Sequence, residues 1–167
     1  MKPHWALIAN CGAGRKTSQK KWARVQQLLQ QYAVESTPPY THQVGHARQY
    51  AIDLVRQGYR YLLVMGGDGT ISEVVDGVMK SGVDTTQVTL ALLPAGTGND
   101  WARYWGIRKI ERAIQVAAQA KSVLVDVGKV TLDTPQPTVR YFINAFGFGF
   151  DARVIQLTNK LQRKFKG

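Results

Sequence analysis

Along this 167-residue chain the hydrophobic positions fall into two alternating textures. Short apolar runs of strand length, Trp5–Ala9, Tyr61–Met65 and Leu90–Leu93, each lead into a glycine-containing turn. Between them, apolar residues recur at helical spacing. Trp22, Val25, Leu28 and Leu29 predict a helix from about Thr17 to Tyr32, and Thr37-Pro38-Pro39 then breaks the pattern. Ala47, Tyr50, Ala51, Leu54 and Val55 predict a second helix from about Gln43 to Gln57, stopped by Gly58. A third, from Ile71 to about Met79, carries Ile71, Val74, Val75 and Val78 on one face, and helical residues return over 99–105 and 110–120.

Strands that alternate with helices imply parallel βαβ units covered on both faces. The expected fold class is therefore α/β, a Rossmann-like parallel sheet with helices on both faces. After Ala120 the texture changes. Val123–Val130 and Val139–Ala145 read as two strands joined by Thr134-Pro135-Gln136-Pro137, hence an antiparallel pair, and a basic helix is expected from Asp151 onward. A domain boundary is expected near residue 121. Residues 1–121 form the α/β domain, and 122–167 hold the first strands of an incomplete β-rich lobe.

The formal net charge is +11, and its placement narrows the partners. No acid precedes Glu35 and none follows Asp151, whereas basic and acidic residues balance between them. The excess lies at the two ends, which excludes a uniformly basic surface and leaves nucleic acid, anionic membrane or a phosphorylated small molecule. With 44% hydrophobic residues the chain can bury a core. Cys11 is the single cysteine, which argues against disulfides and cysteine-held metals and for a reducing, cytoplasmic setting. No apolar run approaches the roughly 18 residues of a membrane span.

The chemistry concentrates in the glycine turns Asn10–Gly14, Gly66–Thr70 and Pro94–Asn99. In an open parallel sheet, ligands bind beyond the carboxyl ends of the strands. Glycines let backbone approach a phosphate, and a helix N-terminus behind the turn stabilises its charge. Gly147-Phe148-Gly149-Phe150-Asp151-Ala152 matches a relaxed dinucleotide pattern, but too few residues follow it for the rest of that unit. Thr70-x-x-Glu73 and Thr97-x-x-Asp100 have the form of capping boxes, so Thr70 and Thr97 are expected to start helices. That leaves Asp68 without a structural duty. A carboxylate among phosphate-binding glycines is repulsive unless it holds a metal or takes a proton, so Asp68 is read as functional. The histidines lack metal-ligand spacing. Trp101, Tyr104 and Trp105 form an aromatic stripe expected to lie in the core rather than to anchor a membrane.

The Gly66-Gly67-Asp68-Gly69-Thr70 turn with Glu73 and Gly77, followed by Leu93-Pro94-Ala95-Gly96-Thr97-Gly98-Asn99-Asp100-Trp101-Ala102-Arg103, resembles the diacylglycerol kinase catalytic domain family. That family includes bacterial lipid kinases and sphingosine kinases. The first string is shared with NAD kinases and phosphofructokinases, while the second is specific to the lipid kinase branch. Thr41 with His46-Ala47, Asp126-Val127-Gly128, and Asn144 through Gly147 and Gly149 to Ala152 match more weakly. The family's Asn-Pro is here Asn10-Cys11, and of its β-sandwich second lobe only the opening strands fall within 122–167.

The resemblance implies an ATP-dependent lipid kinase that transfers the γ-phosphate to a lipid hydroxyl such as that of diacylglycerol. It implies that Asn10, Gly14, Arg15 and Lys16 form the first phosphate turn, with Thr41 nearby, and that Gly66, Gly67, Gly69 and Thr70 form the main triphosphate turn. Asp68 is implied as general base or Mg²⁺ partner, Glu73 with Gly96, Thr97, Gly98 and Asn99 complete the nucleotide crevice, and Asp151 meets the lipid headgroup. Arg15 and Lys16 are suited to phosphate as paired cations. The expected cofactors are ATP and Mg²⁺. The expected partners are a lipid substrate and, peripherally, an anionic membrane, without nucleic acid; a homodimer is compatible with this reading. The chain alone, holding mainly the nucleotide-binding lobe, is expected to be poorly active. A soluble-substrate kinase of the NAD kinase type accounts for the GGDGT turn but not for Leu93–Arg103. A non-catalytic nucleotide- or nucleic-acid-binding module leaves Asp68 unexplained.

Overall fold

A computed structural model of the chain describes residues 3–10, 15–41, 45–133 and 135–145. β1 (His4–Ala9) is buried from Trp5 onward, as a strand covered on both faces must be. It is followed by α1 (Arg15–Gln31), β2 (Glu35–Ser36), β3 (Tyr40–Thr41), α2 (His46–Arg56), β4 (Tyr61–Gly66) and α3 (Asp68–Lys80). A 3₁₀ turn at Thr85–Gln87 leads to β5 (Thr89–Pro94), α4 (Asp100–Tyr104), α5 (Ile110–Gln119), β6 (Gly128–Leu132) and β7 (Thr138–Phe142). The first five strands form one parallel sheet in the order β2-β1-β4-β5, with β3 also paired to β1.

β2 and β3, absent from the sequence reading, are two pieces of one strand position. His4 pairs with Glu35 at one end of β1, and Ile8 pairs with Tyr40 at the other. Pro38 and Pro39 cannot donate to the ladder, so Thr37 bridges the gap. Its N–H donates to Trp5 O at 2.9 Å, and its hydroxyl accepts from Leu7 N at 3.1 Å.

Alternation along the strands builds two cores. Ala6, Ile8, Leu62, Val64 and Leu92 face α2 and α3, packing with Ala51, Leu54, Val55, Val74 and Val75. Trp5, Leu7, Ala9, Leu63, Met65 and Leu93 face α1 and α5, packing with Val25, Leu28, Ala113 and Ile114. The expected α/β sheet with helices on both faces is present, and the expected antiparallel pair is the β6–β7 hairpin.

Several boundaries move. α3 begins at Asp68 rather than Ile71 because extended Gly67, not Thr70, is its N-cap. The strand expected over Val123–Val130 forms only from Gly128. Val123 and Leu124 are exposed, beside an apolar cavity of about 370 Å³ that runs along Leu90 and Ala91 of β5. The aromatic stripe is also not core. α4 has a single inward residue, Ala102, and leaves Tyr104 77% and Trp105 43% exposed. With Trp101 partly buried against the α3 side of the sheet, the Trp101 and Tyr104 rings stack and Trp105 meets both edge-on, 5.2 Å from Tyr104. The basic helix expected from Asp151 lies outside the described residues.

Candidate functional site

The carboxyl ends of β1, β4 and β5 lie side by side. Asn10, just past β1, donates its N–H to Met65 O at 2.8 Å, and Ala95, just past β5, donates to Gly66 O at 2.8 Å. These bonds bring Asn10 and the β4 and β5 turns together on one edge of the sheet. The β4 and β5 turns then touch backbone to backbone. A Cβ on Gly96 would collide with the Gly67 Cα, and one on Gly67 would lie 3.0 Å from the Gly96 Cα. Side chains at these two positions would force the turns apart.

Asn99 holds the β5 turn closed from within. Its carbonyl accepts from Gly96 N at 2.9 Å, and its amide donates to Gly96 O at 2.7 Å. The residue sits at φ 54°, in the left-handed region that asparagine tolerates better than most residues. Asn99 is also the N-cap of α4, but its side chain, committed to Gly96, makes no capping bond. Asp68 supplies the cap from α3 instead. Its Oδ2 accepts from Asp100 N and its Oδ1 from Trp101 N, both at 3.0 Å. The Asn144 side-chain amide donates to the same Oδ1 at 3.0 Å.

These contacts correct three sequence expectations. Thr70 does not cap α3. It lies within the first turn, buried, with its hydroxyl 3.3 Å from the Asn10 amide and its side chain where a Cβ on Gly66 would fall. Thr97 does not cap α4, because Asp68 does so across the turn. Asp68 therefore has a structural duty after all, and its functional role no longer follows from the lack of one.

What remains is electrostatic. Burial pushes the Asp68 carboxyl up, but hydrogen bonds from Trp101 N–H, Asp100 N–H and Asn144 outweigh it and hold the group below its ordinary value. It is a carboxylate at neutral pH. The Trp101 and Asn144 bonds fill Oδ1, whereas Oδ2 accepts from Asp100 N–H, so an acceptor hydroxyl or a cation meets the carboxylate at Oδ2. The start of α3 beside it has no side-chain cap. Its first-turn N–H groups lack intrahelical partners and can receive an anion. Gly69, exposed with open space around it, leaves that approach clear.

Glu73 stands one turn further along α3 and faces α2. Its Oε1 accepts from Gly45 N, the N-cap of α2, at 3.2 Å, and its buried Oε2 has no partner among the described residues. Thr41 reaches the same sheet edge through its pairing with Ala9. Arg15 and Lys16 open α1. Gly14 and Asp151 lie outside the described residues. Asn144 is the contact that the candidate site residues omitted, although its position belongs to the string matched to the family. Among the described residues no cluster of His, Cys, Asp or Glu is arranged to hold a metal by itself. The donor set still fits Mg²⁺, which usually takes only one or two carboxylates and completes its shell with phosphate oxygens and water.

Comparison with known proteins identifies the family. Residues 4–130 match the model of the diacylglycerol kinase catalytic domain. A diacylglycerol kinase of Bacillus subtilis is 32% identical over 160 residues, covering 96% of this chain and 49% of its own length. One from Staphylococcus carnosus is 27% identical over 168 residues, covering 100% and 52%. A crystal structure of a diacylglycerol kinase from Bacillus anthracis shares the fold with a TM-score of 0.58 at 22% identity, covering 78% of this chain and 44% of that one. The chain spans about half the length of these curated relatives, and it belongs to the diacylglycerol kinase catalytic domain family.

Proposed function

We propose that this chain is the nucleotide-binding part of an ATP-dependent lipid kinase, which transfers the γ-phosphate to a lipid hydroxyl of the diacylglycerol class. The observation that carries the reading is the ionised Asp68 carboxylate beside an uncapped helix start, on the edge where the β4 and β5 glycine turns meet beside the end of β1. Phosphoryl transfer asks little covalent work of a protein; it needs phosphates held in place and an acceptor hydroxyl oriented in line. In this reading the α3 N-terminus and the Gly66–Thr70 turn hold phosphate oxygens, with Gly96–Asn99 closing the crevice.

Asp68 directs Oδ2 at the lipid hydroxyl. A carboxylate held below its ordinary value is a weak base, so its main contribution is orientation, with the proton accepted late in the transfer. Bound Mg²⁺ would neutralise phosphate charge, held mainly by the phosphates and water. The second lobe, beginning near residue 122, would supply the lipid headgroup contacts, among them Asp151. The basic ends suit a peripheral approach to anionic membrane. Among the described residues no helix is long and apolar enough to cross a membrane.

The test is a substrate panel. The full-length protein, given ATP and Mg²⁺, is expected to phosphorylate diacylglycerol or a related lipid in mixed micelles and to leave NAD untouched. Phosphorylation of NAD with no lipid product would replace this reading with a soluble-substrate kinase.

A further inference from the structure

Two turns beyond Asp68, α3 carries a second carboxylate that the proposed chemistry does not use. Asp76 is 2% exposed and is surrounded by cations. Arg48 Nε of α2 lies 2.5 Å from Oδ2, Lys80 Nζ lies 2.8 Å from Oδ1, and Arg140 of β7 lies 3.4 Å from Oδ2. The Tyr141 N–H of β7 also donates to Oδ1 at 3.1 Å. A buried ion cluster adds little net stability compared with a well-packed apolar one, and its attested use is to fix a particular arrangement.

The arrangement fixed here runs along α3. Asp76 stands eight positions after Asp68 on α3, about 12 Å of rise. Asn144 stands three positions after Tyr141, just past the end of β7. Tyr141 is held at Asp76, and Asn144 is held at Asp68. Ile143 between them packs against the same core as Val74 and Val78. The segment is thus tied to α3 at both ends and cannot slide along it without breaking one tie.

We propose that Asp76 is a positioning residue: through Tyr141 and Arg140 it fixes β7 along α3, so that the Asn144 amide stays on Asp68 Oδ1. Asn144 occupies a position on Oδ1 that would otherwise compete for the ligand, and so directs the ligand to Oδ2. The inference rests on the proposed phosphoryl transfer for its effect on rate, but not for its effect on Asp68 itself. The Asn144 amide bond to Asp68 gives a readout that needs no substrate, the protection of its side-chain NH₂ protons.

The experiment compares Asp76→Leu, Asp76→Asn, Asn144→Ala and the Asp76→Leu/Asn144→Ala double variant in the full-length protein. Asp76→Leu is expected to lower kcat on lipid about tenfold, the loss of one hydrogen bond to a charged group, with the KM for ATP within twofold. Asp76→Asn, which keeps an acceptor for Tyr141 N–H, should recover most of that loss. The double variant should be no slower than Asn144→Ala, because both changes remove the same contact. By NMR, the Asn144 side-chain NH₂ protons, protected by the bond to Asp68, should lose that protection in Asp76→Leu and keep most of it in Asp76→Asn. Should Asp76→Leu not fold, Arg140→Gln, at a half-exposed position, carries the same expectations with a smaller effect. Losses that multiply in the double variant, or an Asn144 amide as protected in Asp76→Leu as in the wild type, would overturn the proposal. A wild-type protein inactive on every lipid would refute the kinase reading, and the Asn144 amide would still decide the positioning role.

Discussion

In β4 every residue from Leu62 to Gly66 is buried, whereas in β7 every residue from Thr138 to Phe142 is only half-buried and β6 alternates between half-buried and exposed. β4 lies between β1 and β5 with helices on both faces, so its backbone and side chains are satisfied within the α/β layer. The hairpin has neither arrangement. It joins the layer through the Asp76 ion cluster, the Asn144–Asp68 bond and the packing of Val127 and Ile143. Hydrophobic burial therefore shapes the sheet, while a few polar contacts place the hairpin. Substitutions should act differently in the two regions.

The largest expected effect is in the sheet. Leu63→Ala removes a fully buried side chain from the α1–α5 face and should cost about 2–5 kcal/mol, read from denaturant unfolding. A cost under 1 kcal/mol would mean that this core is not closed. Next is Gly96→Ala, which drives a methyl into the Gly67 backbone. Parting the two turns should weaken ATP binding at least tenfold by calorimetry, at a stability cost of about 1–3 kcal/mol.

Acid should separate the regions more finely. Burial raises the Asp76 carboxyl, but the Lys80 hydrogen bond, the Tyr141 N–H and the charges of Lys80 and Arg48 lower it further, so the folded value lies below 3.8. The folded protein then binds fewer protons than the unfolded chain. The stability Asp76 contributes is complete above its ordinary value and is lost as pH falls through the lower folded one. Hydrogen exchange of β7 amides should accelerate below about pH 4 before that of β4 amides, and Asp76→Asn should remove most of this pH dependence. The smallest effect is expected for Val130→Ala, at a half-buried hairpin position, under about 1 kcal/mol.

The same contrast explains what could be read from the sequence. β1, β4 and β5 were legible because a strand buried on both faces leaves a continuous apolar run, and α2, α3 and α5 because one face of each is apolar. β2 and β3 were not, since Pro38-Pro39 hides a strand position that Thr37 bridges with its side chain. The glycine turns marked the carboxyl edge of the sheet, but the capping boxes misled. Thr70 and Thr97 have the right spacing, yet Gly67 starts α3 and the Asp68 carboxylate caps α4 from another element. Asp76–Lys80 is visible as a helical pair, whereas Arg48 and Arg140 join it only through tertiary contact, and so does Asn144 with Asp68. Tyr104 and Trp105 follow helical spacing but occupy the outward side of a five-residue helix, where spacing alone carries no direction.

The central claim is that Asp68 orients the acceptor hydroxyl in addition to capping α4. Asp68→Asn keeps oxygen and shape but removes the charge, and so separates these two duties. Measured on the full-length protein with ATP, Mg²⁺ and diacylglycerol micelles, it is expected to lower kcat at least a hundredfold, with ATP affinity within a few-fold of wild type and the fold intact by circular dichroism. Turnover within tenfold of wild type would contradict the account and leave Asp68 a helix cap alone.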